Sequence, residues 1–172
     1  MSSLRSFSRI VAATLALGLP LAGCFQPLYG TSVGGVGMAQ SLASIAVTPI
    51  PDRLGYYLTN ELTFAFHGGG APVDQKYRLT VTLRERVQTP LVDTVSGRAT
   101  AAIIGIDADY RLISTETSRE ITSGTAFVTE DYDRSSQRFA NIRAARDAEI
   151  RGAKVLADQI RTRIAAALVA KD

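Results

Sequence analysis

Between residues 77 and 84 large apolar and polar side chains alternate: Tyr77, Leu79, Val81 and Leu83 against Arg78, Thr80, Thr82 and Arg84. A period of two puts each set on its own side of a pleated strand, one buried and one wet. The same rhythm returns within residues 99–113, where Ile104, Ile106, Ala108, Tyr110 and Leu112 oppose Asp107, Asp109 and Arg111. After a turn at residues 115–118, residues 119–130 form a further strand, with Ile121, Phe127 and Val128 as its large apolar residues. The last two strands should form an antiparallel hairpin. Residues 44–49 (SIAVTP) form a shorter strand, stopped by Pro49 and Pro51. Residues 88–97 read as a connection with strand character at Val92 to Val95.

Two stretches switch to the helical period. Leu54, Leu58, Leu62 and Phe66, with Tyr57 and Ala65, fall on one stripe. Asp52 is placed to cap that helix, and Gly68-Gly69-Gly70 ends it. Near the C-terminus Phe139, Ile142, Ala145, Ile150, Ala153, Leu156, Ile160, Ile164 and Leu168 predict a long helix, with Asp133 or Ser135 as its cap. The order is thus β-α-β-β-β-α. A helix between the first two strands permits a parallel pair. The expected fold is α+β, with two helices packed on one face of a four-stranded mixed sheet. The other face, rich in Thr, Arg and Asp, is left to water or a partner.

The first residues follow a different logic. Arg5 and Arg9 precede an apolar run, Ile10 to Leu19, and then Leu21-Ala22-Gly23-Cys24. A positive start, a short apolar core and small residues at a cut define a secretory signal. The core is too short to span a bilayer stably, since that takes about 20 apolar residues. The LAGC ending resembles the lipobox of bacterial lipoproteins. It implies cleavage after residue 23 and lipid attachment at Cys24, with the acyl chains as the only prosthetic group and no other cofactor. Phe25, rather than Asp, follows the cysteine, which by the same resemblance favours sorting to the outer membrane. The expected organisation is a signal peptide over residues 1–23, a lipidated, Gly- and Ser-rich tether over 24–43, and one globular domain over 44–172.

Charge narrows the functional classes. The chain holds 19 Lys and Arg against 16 Asp and Glu. Without Arg5 and Arg9 the mature part is close to neutral, so no nucleic-acid partner is expected. The basic side of the last helix, including Arg143, Arg146, Arg151 and Lys154, reads as the solvated side of an amphipathic helix. One cysteine and one histidine exclude an internal disulfide and a Cys/His metal site. His67 sits where a helix runs into three glycines and reads as a helix-end surface residue. Asp107 and Asp109 share a strand face but read as solvated. Gly34-Gly35-Val36-Gly37 lacks the strand and the Lys of a phosphate loop. No nucleophile–base constellation is present, and the chain is not expected to be an enzyme.

Cys24-Phe25-Gln26-Pro27-Leu28-Tyr29-Gly30 resembles the CGF(R/Q)PLYG start of the alphaproteobacterial LPS-assembly lipoproteins, the LptE family, with Phe directly after the cysteine where that family has Gly. The element order and the Tyr77-Arg78-Leu79 strand agree with the same family. The resemblance implies an outer-membrane lipoprotein, on the periplasmic side, that plugs the lumen of the LptD β-barrel, helps it assemble and assists lipopolysaccharide delivery. It implies LptD, lipopolysaccharide and the outer membrane as partners. Guanidinium groups pair bidentately with phosphates such as those of lipid A. Arg78, Arg84, Arg98 and Arg111 are therefore candidate lipopolysaccharide contacts, with Lys76 and Arg86 behind them; solubilising charge or barrel contact is the competing account of all six. The alternative function is an auxiliary lipoprotein of an envelope-spanning lipid or solute transporter, which the CFQPLYG start disfavours.

Overall fold

The computed structural model describes residues 37–72, 74–89 and 100–170. The signal and lipid-attachment segments, Arg98 and the strand character expected at Val92 to Val95 lie outside the described residues. Seven elements follow in order: α1 (Met38–Ala43), β1 (Ile45–Val47), α2 (Asp52–His67), β2 (Tyr77–Gln88), β3 (Ala101–Ser114), β4 (Glu120–Asp133) and α3 (Arg138–Val169). The expected β-α-β-β-β-α order is present, and one short helix precedes it. That helix corrects the tether reading at its end: Met38 and Leu42 are buried, so residues 38–43 pack with the domain.

The four strands form one mixed sheet in the order β1-β2-β3-β4. β1 runs parallel to β2 over three residues, Ile45 to Val47 against Tyr77 to Leu79. β2 and β3 pair antiparallel without interruption from Tyr77↔Ser114 to Gln88↔Ile103. β3 and β4 pair from Ala101↔Asp133, with one irregularity at Leu112/Ile113. Burial alternates strictly along β3: Ala102, Ile104, Ile106, Ala108, Tyr110 and Leu112 are buried beneath the helices. In β4 the adjacent Phe127 and Val128 point oppositely, so Val128 is in the core while Phe127 is 52% exposed.

Leu58 and Leu62 of α2 and Leu156, Ile160 and Ile164 of α3 complete the core with no exposed surface. Each such side chain contributes about 1.5–3 kcal/mol by leaving water. α2 packs on α3 and β1, and α3 lies along β4 and β3. Gly152 lets α3 approach the sheet closely, because a Cβ there would stand 2.8 Å from Ile106 Cδ1. Gly68 ends α2 as expected, with a left-handed φ of 65° and its N–H donated to Phe64 O.

The caps differ from expectation. No side chain caps α2; Pro51 holds the cap position and Asp52 takes a left-handed φ of 68°. No side chain caps α3 either. Ser135 Oγ accepts from Gln137 N–H, and Asn141 bonds both the N–H and the carbonyl of Ser135. The burial of α3 also starts later than the apolar stripe suggests. Its buried residues begin at Ala148, while Phe139 is 82% exposed and Ile142 and Ile150 are exposed. No helix among the described residues is long and apolar enough to cross a membrane.

Candidate functional site: the uncovered face of the sheet

Alternation determines what the helices leave open. β2 presents Arg78, Thr80, Thr82, Arg84, Arg86 and Gln88 to that side. The register sets Asp107, Asp109 and Arg111 of β3 beside them, then Ser123, Thr125, Phe127 and Thr129 of β4. Three of the four candidate arginines, Arg78, Arg84 and Arg111, thus share one face.

They do not form a bare basic patch. Arg84 pairs with Asp109 at 2.8 Å, and Arg86 with Asp107 at 2.5 Å. Arg111 pairs with Glu120 at 3.2 Å. Thr125 donates to Asp109 at 2.6 Å and Ser123 to Glu120 at 2.6 Å. Of the three described candidates, Arg78 alone has no ion pair among the described residues; Lys76 pairs with Asp74 at 3.6 Å. Alternating charges satisfied within the face make it hydrophilic without a strong net sign. Such a surface tolerates wet, polar contact and carries little stabilising energy of its own. Asp107 and Asp109 are held by guanidinium groups rather than poised as an acid–base pair.

A small depression of about 190 Å³ interrupts this face, lined by Arg86, Gln88, Ile103, Gly105, Phe127 and Thr129. Gly105 has no side chain across from Arg86, which leaves the floor open and the Phe127 ring exposed. Behind the sheet, a groove of about 630 Å³ between α2 and α3 is lined by charges of both signs, among them Glu61, Lys154 and Asp158.

His67 is not a free surface group. It is half-buried, and its Nε2 lies 2.8 Å from Ile45 O. Since a carbonyl only accepts, Nε2 carries the proton and the imidazole ties the end of α2 to β1. No cluster of three potential metal ligands occurs among the described residues.

One buried charge lies under the sheet. Glu149, with a side chain 3% exposed, is gripped by both Nε and Nη2 of Arg53. That side-chain hydrogen bonding is the main cause that raises the Arg53 pKa. Glu85 stands at the exposed rim of this cluster. Burial pushes its carboxyl above the usual range, the Glu149 charge adds to the push, and Arg53 opposes it. Sequence reading missed this group, although Glu149 lies four residues from both Ala145 and Ala153 and so on the side of α3 that is buried.

The apolar periodicity also extends over the exposed start of α3. Phe139 and Ile142 are exposed there beside Arg138, Arg143 and Arg146, none of which makes an ion pair among the described residues.

Solved structures share this architecture. A lipoprotein from Caulobacter crescentus CB15 is 26% identical, with a TM-score of 0.63, covering 77% of this chain and 96% of its own. A minor lipoprotein from Acinetobacter baumannii has the same fold at 17% identity and a TM-score of 0.52, covering 72% of this chain and 92% of its own. Lipoprotein B from Nitrosomonas europaea does so at 16% identity and a TM-score of 0.52, covering 71% and 81%. No curated protein matches the chain. The family model for lipopolysaccharide assembly, LptE, matches residues 42–164, a span that runs from the end of α1 through most of α3. This chain therefore belongs to the LptE lipopolysaccharide-assembly family.

Proposed function

We propose that this protein is an outer-membrane lipoprotein, anchored through acylated Cys24, that plugs and helps assemble an LptD-type β-barrel and takes part in delivering lipopolysaccharide to the outer leaflet. The supporting observation is the uncovered sheet face, hydrophilic and internally ion-paired, in a chain of the lipopolysaccharide-assembly family. A wide barrel lumen is polar and wet, so a plug needs a surface that stays hydrated while touching the wall. A face on which Arg84, Arg86 and Arg111 already have carboxylate partners meets most of that need, leaving Arg78 as the one described arginine of the face without such a partner among the described residues.

In this reading lipopolysaccharide phosphates are met by Arg78, Arg84, Arg98 and Arg111. Arg78 is the first described contact, since no internal carboxylate has to be displaced from it. Arg84 and Arg111 would exchange Asp109 and Glu120 for a phosphate. The N-terminal acyl chains keep the domain at the membrane surface, each buried CH₂ contributing about 0.8 kcal/mol.

The test is isolation of the full lipoprotein from detergent-solubilised native membranes, together with its depletion in the host. The expected result is co-isolation of one large β-barrel protein, and loss of assembled barrel and of surface lipopolysaccharide on depletion. Co-isolation of an inner-membrane ATPase complex with normal surface lipopolysaccharide would overturn this reading in favour of a transporter auxiliary.

A further inference from the structure

The two edges of the sheet are treated differently. Along β4 three of the outward carbonyls are occupied by side chains of α3. Gln159 donates to Phe127 O at 3.1 Å, Arg163 to Thr125 O at 2.5 Å and Arg151 to Asp131 O at 2.8 Å. Arg151 is in turn fixed by Glu130 and Asp147. Side chains seated on these carbonyls obstruct the addition of a further strand along that stretch of β4.

At the other edge β1 covers only the first three residues of the twelve in β2. Tyr77 N–H bonds Ser44 O, and Leu79 O accepts from Thr48 N–H, so odd-numbered residues of β2 face outward. The unbroken register with β3 carries that alternation to the end of the strand. Val81, Leu83, Glu85 and Val87 therefore present N–H and C=O groups to the free side, and no described residue pairs with them. A row of unpaired backbone donors and acceptors is a docking site for an extended chain.

We infer that the free edge of β2, from Val81 to Val87, receives an extended segment of the barrel partner as a fifth strand; this rests on the functional reading above. The segment is a loop or terminus, because strands of a closed barrel wall already have both edges paired. Its side chains must suit two rows. Opposite Arg84 and Arg86 it carries Asp, Glu, Ser or Thr, and on either side of that pair it places apolar residues toward Leu83 and Val87. A second copy of this chain fits badly. Antiparallel registers that use the whole free edge, centred on Arg84 or Glu85, set Arg84 against Arg84 or against Arg86 of the other copy, and like charges directly opposite repel.

The test compares backbone amide hydrogen exchange of β2 in the purified full lipoprotein and in its complex with the barrel protein isolated from native membranes. Exchange at Val81, Leu83, Glu85 and Val87 should be fast in the free protein and about a hundredfold slower in the complex. Slow exchange at these amides in the free protein would mean that its own chain or a second copy occupies the edge, and would overturn the inference. Unchanged exchange in the complex would overturn it as well. Val87→Pro removes one outward N–H and leaves the ladder with β3 intact, as edge strands tolerate. It should keep the fold and lower barrel recovery about tenfold, whereas Val87→Thr should recover the barrel as the parent does. Full recovery with a folded Val87→Pro variant sinks the edge inference alone. Absence of the barrel even with the parent protein sinks the functional reading instead.

Discussion

The two faces of one sheet differ in what they are made to do. The face under α2 and α3 is closed, with Ile104, Ile106 and Leu112 fully buried against Leu156, Ile160 and Ile164 of the helical layer. The other face is built from the same strands at the alternate positions, yet it holds charges of both signs joined by ion pairs across neighbouring strands. Apolar burial stabilises through every atom removed from water, whereas exposed ion pairs contribute little. The covered face therefore carries the stability, and the open face can serve contact at almost no cost to folding.

Substitutions separate the two. Leu156→Ala should be the most damaging, lowering unfolding free energy by about 2–5 kcal/mol in chemical denaturation, because the site is fully enclosed. Arg53→Met leaves Glu149 buried without its partner and should cost about 2–3 kcal/mol by the same measurement. An Arg53→Met variant as stable as the parent would show that Glu149 is not held as the geometry indicates.

Glu85→Gln should act in the opposite sense. A carboxyl whose folded pKa exceeds its unfolded value is penalised in the fold once ionised. The penalty is present at neutral pH and disappears as pH falls through the raised folded value to the ordinary glutamate range. The variant should thus melt above the parent at pH 7, with the difference vanishing near pH 4, about the usual glutamate value. The smallest effect belongs to the open face: Arg84→Ala should change stability by about 1 kcal/mol or less. A loss as large as that of Leu156→Ala would dissolve the contrast between the faces.

Much of this contrast was legible in the sequence. The alternation at Tyr77 to Arg84 and Ile104 to Leu112 reports which side chains are buried, because a strand has only two sides. The stripe of Leu54, Leu58, Leu62 and Phe66 likewise matches the buried side of α2. The state of the arginines was not legible. Residue type places Arg84 and Arg111 on the open face, but their partners depend on strand register. Arg84 stands across from Asp107 yet pairs with Asp109 one step diagonally, and Arg86, facing Gly105, leans to Asp107 in the same way. The helical stripe also overreached at Phe139 and Ile142, since periodicity gives the side of a helix and not where its neighbours end. Met38 to Ala43 escaped notice because six residues after a glycine-rich run are too few to show a period.

The claim that the open face is the one that meets the partner can be tested by photo-crosslinking in native membranes. A crosslinking residue would be placed singly at Thr82, Thr125 and Thr129 on the open face, and at Tyr56, Phe64 and Val155 on the helices. The account predicts adducts with the β-barrel protein from the first three positions and few from the others. Adducts confined to Tyr56, Phe64 and Val155 would contradict it.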